Sequence, residues 1–440
     1  MVVLKFGGTS VGKAERMKKV AELVLSAPGK KFVVLSALSG TTNSLVKIGD
    51  HLLSGRNVQA EEEINTLEKH YESFIKDLFA SESFHAVGQE IVSRFFIFLR
   101  LLAAGQFDNK SYRELLAQGE LISTELFYQH LQERRVACRL LPALYFMSID
   151  ENEEPELEKI SNRLKTLLHS LQNIDVIITQ GYICRNHHNE IDNLKRGGSD
   201  YTASLIGAAI RAEEIQIWTD IDGMHNNDPR IVKKTYPISE LTFDEASELA
   251  YFGAKILHPS TIVPAQKYNV PVRLKNTMDE KAAGTIITSK GSEGIFKAVA
   301  AKDNITAIKI KSSRMLMAYG FLRRVFEVFE QYKTPIDMIT TSEVAVSLTI
   351  DSNTNLPLIE TELKKFGTIE IDTNQSIISI VGNNITSKKG VLKKIFDSLA
   401  EIPIRMVSCG GSNNNVSVLI ETAYKEKALN ALNEGVFDLK

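Results

Sequence analysis

Short apolar runs alternate with amphipathic stretches through the first two thirds of the chain. Val2-Val3-Leu4-Lys5-Phe6 is apolar but for one lysine, and Gly7-Gly8-Thr9-Ser10-Val11-Gly12 follows it. Apolar positions then recur at helical spacing from Ala14 to Val24. The pattern predicts a buried strand, a glycine turn and a helix. Lys31 to Ala37, Ala137 to Leu141, Asp175 to Tyr182, Ile215 to Asp220 and Val270 to Leu274 read as further short strands. Residues from about 45 to 135 read as mostly helical, and Leu241 to Ala250 as an amphipathic helix with a clear cap. This alternation of strand and helix through about residue 290 predicts a mainly parallel, three-layer α/β domain. Lys290-Gly291-Ser292-Glu293-Gly294 reads as a linker.

Beyond the linker the pattern repeats. Gly320-Phe321-Leu322-Arg323-Arg324-Val325-Phe326 recurs as Gly390-Val391-Leu392-Lys393-Lys394-Ile395-Phe396. Each copy follows a strand and precedes Pro-Ile-Asp-Met-Ile (335–339) or Pro-Ile-Arg-Met-Val (403–407), then another strand and a helix. That order predicts a small ferredoxin-like βαββαβ unit used twice, over 305–373 and 376–440.

Composition narrows the function classes. The 440 residues are 43% hydrophobic and 24% charged, as in soluble globular proteins, and the length suggests about three domains. A net charge of −2 gives no electrostatic case for nucleic acid or an anionic membrane. Cys138, Cys184 and Cys409 lack metal or disulfide spacing, which fits a reducing compartment. The N-terminus has no signal-peptide anatomy, and the apolar segment Phe95 to Ala104 contains Arg100 and is too short to span a bilayer. The expectation is a cytoplasmic protein.

Candidate chemistry gathers at the strand ends. A strand–glycine–helix junction aims backbone N–H groups and the positive end of a helix dipole at one point, which suits phosphate. Lys5 is costly in a buried strand unless its ammonium meets an anion. Gly7 to Lys13 also fits the opening of G-x-x-x-x-G-K, but Ala14 supplies no hydroxyl for a metal, so the fit is incomplete. Ser36 to Asn43 is hydroxyl-rich where open α/β sheets bind ligands, although such hydroxyls also cap helices. Glu120, just after Gly119, reads as standing at a helix start, either as a dipole partner or as a grip on a substrate ammonium. Arg196-Gly197-Gly198-Ser199-Asp200-Tyr201-Thr202 sets a guanidinium beside two glycines before an apolar helix. Arginine grips carboxylates in a planar fork, while Ser199 or Asp200 also reads as a helix cap. Asp220 and Arg230 flank a turn-rich loop able to border a nucleotide, and Lys255 is a second cation for phosphate. His225 by itself reads as a surface or packing residue.

Taken together, Lys5-Phe6-Gly7-Gly8-Thr9-Ser10, the Arg196 to Thr202 run, Trp218-Thr219-Asp220 and Phe252-Gly253-Ala254-Lys255-Ile256-Leu257-His258-Pro259 resemble aspartate kinases, in order over nearly the whole chain. The resemblance implies a three-layer α/β/α amino-acid kinase domain, carbamate kinase-like, over 1–290, followed by two ACT domains. It implies phosphorylation of the L-aspartate side-chain carboxylate by ATP with Mg²⁺, the opening step toward lysine, methionine and threonine. Lys5, Asp200 and Lys255 match its catalytic positions. Ser36, Thr42, Glu120, Arg196, Gly198 and Ser199 match its aspartate site. Lys5, Gly7, Gly8, Ser10, Thr219, Asp220, His225, Arg230 and Lys255 match its nucleotide segments. Met315, Phe321, Leu322, Asp337, Thr341, Ser342, Glu343 and Val344 match the effector segments of its lysine-sensitive members, so L-lysine is the expected effector. A homodimer or higher homo-oligomer through the ACT domains is implied likewise. With no G-x-G-x-x-G, the chain resembles the monofunctional enzyme rather than a fusion with homoserine dehydrogenase. Two alternatives stand beside this: a sister kinase acting on another acidic substrate, and a non-catalytic ACT-based amino-acid sensor. The paired repeats count against the first; Lys5, Asp200 and Lys255 count against the second.

Overall fold

The computed structural model describes residues 1–194, 197–253, 257–291, 294–312 and 319–439. The chain divides into two compact units, Met1–Met224 with Ile256–Lys290, and His225–Lys255 with Gly291–Lys440.

In the first unit β1 (Val2–Phe6) leads through α1 (Gly8–Val11) and α2 (Ala14–Ser26) to β2 (Lys31–Leu35). A helical stretch follows: α3 (Thr41–Leu53), α4 (Asn57–Leu78), α5 (Glu82–Ala104) and α6 (Asn109–Glu133). Next come β3 (Cys138–Leu140), α7 (Leu157–His169), β4 (Val176–Gln180), the hairpin of β5 (Ile183–Arg185) and β6 (Ile191–Asn193), α8 (Gly198–Ile210) and β7 (Ile215–Thr219). The chain then carries β8 (Glu240–Thr242) and α9 (Phe243–Tyr251) in the second unit before returning with α10 (Pro259–Tyr268), β9 (Val272–Asn276) and β10 (Thr285–Thr288).

The strands of the first unit lie in the order β3-β4-β2-β1-β7-β9-β10. Pairing is parallel throughout except for β10, which runs antiparallel to β9. β2 and β4 are buried at every position, which explains their continuous apolar runs: helices cover both faces of a parallel sheet. Leu4, Phe6, Met17, Val33, Leu35, Leu45, Tyr71, Phe74, Phe96 and Leu126 join one core that ties the sheet to the helical stretch. From β1 the chain moves to β2 on one side and later returns to β7 on the other. Such a switch point leaves a crevice at the carboxyl ends of the strands, where ligands bind in open α/β sheets.

The second unit holds an antiparallel sheet of six strands, β12-β13-β11-β14-β16-β15. Its elements after α9 are β11 (Phe296–Lys311), α11 (Phe321–Gln331), β12 (Ile339–Thr341), β13 (Ala345–Ile350), α12 (Leu356–Leu363), β14 (Thr368–Gly382), α13 (Val391–Ser398), β15 (Met406–Cys409), β16 (Asn415–Glu421) and α14 (Lys425–Phe437). β11 and β14 are long and serve both repeats. Ile305 to Lys311 pairs with Thr368 to Gln375, and Phe296 to Lys302 pairs with Ile377 to Gly382, with a register shift between. The repeat therefore closes differently from two consecutive units. The second copy runs β14, α13, β15, β16 and α14, and draws its sixth element from Phe296 to Lys302, upstream of the first copy. Each copy keeps its own helix-side core, one around Phe321, Val325 and Leu348, the other around Val391, Ile395 and Leu429. On the other face Phe252 packs with Ile305, Ala307, Met338, Ile377, Met406 and Leu419.

Candidate active site

Lys5 lies on β1 opposite Val34 of β2 and Ile217 of β7, with its side chain only 10% exposed. Its Nζ sits 2.6 Å from Asp200 Oδ1 in the first turn of α8. A buried ammonium is tolerable only with such a partner, so the lysine that looked costly in the sequence is compensated from the next layer. A Cβ at Gly7 would stand 3.2 Å from Lys5 Nζ, so the glycine turn lies directly against the ammonium. Beside it, Ser10 Oγ and Thr277 Oγ1 are 2.8 Å apart in a buried hydroxyl pair, and the Thr277 N–H donates to the Thr219 carbonyl. Thr277 was not singled out in the sequence, although it directly follows the end of β9 as Ser36 follows the end of β2.

Of the candidates for the aspartate side, Ser36, Glu120 and Ser199 come together near the ends of β2 and β4. Ser36 Oγ donates to Ser199 Oγ at 2.8 Å. The Ala37 N–H donates to Glu120 Oε1 at 3.1 Å. Glu120 is 4% exposed, and its Oε2 is buried without a hydrogen-bond partner among the described residues. Burial pushes its carboxyl up to about 7, against the lowering effect of the Ala37 N–H. Thr41 Oγ1 and the Tyr71 hydroxyl are 3.0 Å apart at the start of α3, with the exposed Thr42 next in the chain. Tyr71, on α4, is a support that sequence reading missed, because helix periodicity marks it simply as core.

Two readings are corrected here. Glu120 stands in the interior of α6, not at a helix start. Gly119 does not begin the helix. It is small because an added Cβ would lie 2.9 Å from Ala37 Cβ, which brings α6 against the β2–α3 turn. The helix-dipole role therefore falls away. Likewise neither Ser199 nor Asp200 caps α8: the cap is Gly197, at φ +82, a left-handed conformation that favours glycine. Gly198 is the first residue of α8 and Ser199 and Asp200 follow inside its first turn. Arg196, Lys255 and Met315 lie outside the described residues.

Of the nucleotide candidates, Gly7 caps α1, Gly8 opens it, and Thr219 Oγ1 donates to Asp220 Oδ1 at 3.1 Å at the end of β7. His225 and Arg230 belong to the second unit. There His225 Nδ1 lies 3.0 Å from Thr235 Oγ1, and Arg230 grips Asp228 through Nε at 2.9 Å and a terminal nitrogen at 2.7 Å.

The effector candidates also lie in the second unit. Gly320 caps α11, Phe321 is its first residue, and the Phe321 side chain is spent in the core, leaving its backbone for any ligand. Leu322 is partly exposed. Thr341 ends β12, and Ser342, Glu343 and Val344 form the exposed turn to β13, closed by Ser342 N–H on the Ala345 carbonyl at 2.8 Å. Asp337 is different: its side chain is 2% exposed and paired with Lys302 at 2.7 Å.

Among the described residues no group of three or more His, Cys, Asp or Glu is placed to hold a metal ion. No helix among them is long and apolar enough to cross a membrane.

Comparison with known proteins bears on what this arrangement does. Residues 1–276 match the amino acid kinase family, and residues 378–436 match an ACT domain. The chain is 32% identical to lysine-sensitive aspartokinase 3 of Escherichia coli, over 100% of this chain and 99% of that one. It is 35% identical to the chloroplastic aspartokinase 2 of Arabidopsis thaliana, over 99% of this chain and 84% of that one. The crystal structure of E. coli aspartokinase III with aspartate and ADP, described as its R-state, superposes with a TM-score of 0.86 at 32% identity, covering 99% of this chain and 100% of that one. The T-state structure of the same enzyme with lysine and aspartate gives 0.82 at the same identity, over 99% of each chain.

Proposed function

The chain belongs to the aspartokinases of the amino acid kinase family, and from that premise we propose how its own residues carry out the reaction. It is a kinase that transfers the γ-phosphoryl group of ATP to the side-chain carboxylate of L-aspartate, giving 4-phospho-L-aspartate and ADP. The bond from the γ-phosphorus to the bridging oxygen breaks, and a carboxylate oxygen of aspartate forms the new bond. The substrate is itself the nucleophile, so the protein's task is alignment and charge.

The observation that carries this reading is the buried Lys5–Asp200 pair at the carboxyl end of β1, against the Gly7 turn. Lys5 meets oxygens of the transferring phosphoryl group, where charge shifts as the bond breaks, and Asp200 holds its ammonium in place. Glu120 offers Oε2 to the α-ammonium of aspartate, Arg196 takes the α-carboxylate, and Ser36, Thr42, Gly198 and Ser199 complete that side. Gly7, Gly8, Ser10, Thr219, Asp220, His225, Arg230 and Lys255 serve the nucleotide. When bound, Mg²⁺ would neutralise part of the charge of the ATP phosphates, and Asp200 is the side chain that would help to order it. L-lysine is the feedback effector through the ACT-like sheet, and the enzyme works in the cytoplasm as a dimer or higher homo-oligomer formed through that sheet.

A coupled assay of ADP release with L-aspartate, L-glutamate and N-acetyl-L-glutamate tests the substrate. Turnover with aspartate alone is expected. Turnover with another acid in its place points to a sister kinase, and none with any acid to a sensor.

A further inference from the structure

The last helix of the chain carries a polar residue where its own pattern calls for an apolar one. Asn433 of α14 is 3% exposed and shares a face with Leu429, Leu432 and Val436, which pack into the core of the second copy. Leu363 holds the matching place in the first copy, as far beyond Gly320 as Asn433 is beyond Gly390, and it is buried in that copy's core. Asparagine is a poor helix former, and a buried amide is costly unless its hydrogen bonds are made. Here they are made to a loop from outside the repeat. Asn433 Oδ1 accepts from Asn226 Nδ2 at 3.1 Å, and Asn433 Nδ2 donates to the Lys234 carbonyl at 2.9 Å. Asn227 Nδ2 donates to the Leu429 carbonyl of the same helix at 3.0 Å.

Residues 225–237 are turns and irregular chain, closed by a bridge between His225 and Pro237. Without a ladder of its own, such a segment keeps one shape through its anchors. Asn226 Oδ1 accepts the Tyr236 N–H at 2.8 Å, and the Asn226 carbonyl accepts the Val299 N–H of β11 at 2.8 Å. Val232 is buried in the core of the second copy, and the Tyr236 ring stands edge-on to Phe437 at the end of α14. Asn227 Oδ1 accepts the Asp228 N–H at 2.9 Å, and Asp228 grips Arg230. A continuous run of polar contacts thus leads from α14 to the Arg230 guanidinium. We propose that Asn433 is a positioning residue for the nucleotide, fixing from α14 the loop that presents His225 and Arg230. This rests on the reading of those two residues as nucleotide contacts. A buried amide network holds one arrangement when its members are paired, so an apolar residue at 433 releases the loop while leaving the helix formed.

Steady-state kinetics and calorimetric titration with ADP, both on the full-length protein, test this. Asn433→Leu has nearly the same shape and makes none of the hydrogen bonds. It should raise the ATP KM and the ADP Kd about tenfold, the scale of a buried hydrogen bond left unmade, while the aspartate KM stays within about twofold. Arg230→Ala, measured beside it, should raise the same two constants. Should Asn433→Leu fail to fold, Asn227→Ala frees the loop from the Leu429 carbonyl without altering the helix, and should move both constants in the same direction by less. Unchanged ATP KM and ADP Kd in the folded Asn433 variant, with both raised in Arg230→Ala, overturn the proposal and leave the nucleotide reading standing. A fall in kcat with both KM values unchanged, or an equal rise in both, marks a merely structural residue and overturns it as well. If neither constant moves in Arg230→Ala, Arg230 leaves the nucleotide site and this proposal falls with it, while the kinase assignment stands.

Discussion

At the scale of single residues, the account rests on charges that are buried and answered. Lys5 was conspicuous in the sequence because a lone cation interrupts an apolar strand, but its partner Asp200, far along the chain, was nameable only through the family resemblance. Lys5→Ala should lower kcat about 10²–10³-fold with a smaller effect on the aspartate KM, since the contact is made mainly to the transferring group. Steady-state kinetics on the folded variant check this; near-normal turnover would contradict it. Glu120 sets a pH dependence. Its carboxyl is pushed up to about 7 by burial, so it is protonated below that pH and cannot attract the substrate ammonium as an anion. The aspartate KM should rise as pH falls through about 7, and Glu120→Gln should show a raised KM that no longer changes there. The same shift has the opposite consequence for the empty enzyme. A carboxyl raised in the folded state favours folding at low pH, and that contribution is lost as pH rises through about 7. Denaturant titrations without aspartate should show this loss, and saturating aspartate should offset it.

At the scale of elements, periodicity located most strands and helices because burial enforces it. β2 and β4 are buried at every position since both faces are covered, and their apolar runs Phe32 to Leu35 and Val176 to Ile178 made them visible. α9 was legible from its cap, and the structure shows a full capping box between Thr242 and Glu245. What failed was a local rule met by a distant contact. Gly119 looked like a helix boundary, yet it lies inside α6 because Ala37 of another element comes too close for a side chain. Gly119→Ala should therefore destabilise the protein by about 1–3 kcal/mol, as overpacking does, despite alanine's better helix propensity. It should also raise the aspartate KM, because the Ala37 N–H that holds Glu120 would move. Urea unfolding and kinetics on one variant read both effects; a stabilised variant with unchanged KM would contradict this packing argument. The shared β11 and β14 were hidden for a related reason. Sequence order shows which strands exist, but pairing across the register shift after Lys302 is decided by the sheet as a whole.

At the scale of the whole molecule, the chain joins a parallel α/β unit with the chemistry of a carboxylate kinase to an antiparallel sheet of two interleaved repeats. The repeat in the sequence exposed the second kind of unit, and the ordered motifs exposed the first. The amide cluster around Asn433 was invisible in both, because Asn226 and Asn433 belong to no motif and meet only on folding. Arg196→Lys belongs at this scale as a test of substrate choice. Lysine lacks the planar fork, so the aspartate KM should rise while the ATP KM holds, and an unchanged aspartate KM would remove Arg196 from the substrate site. The central claim is that the acceptor is the side-chain carboxylate of aspartate. Phosphorus NMR of the enzyme with ATP, Mg²⁺ and L-aspartate, repeated with hydroxylamine to trap the product, tests it most directly. The account predicts an acyl-phosphate signal that grows with ADP and is replaced by free phosphate and aspartyl hydroxamate when hydroxylamine is present. ADP and inorganic phosphate forming without any acyl phosphate or hydroxamate would contradict it.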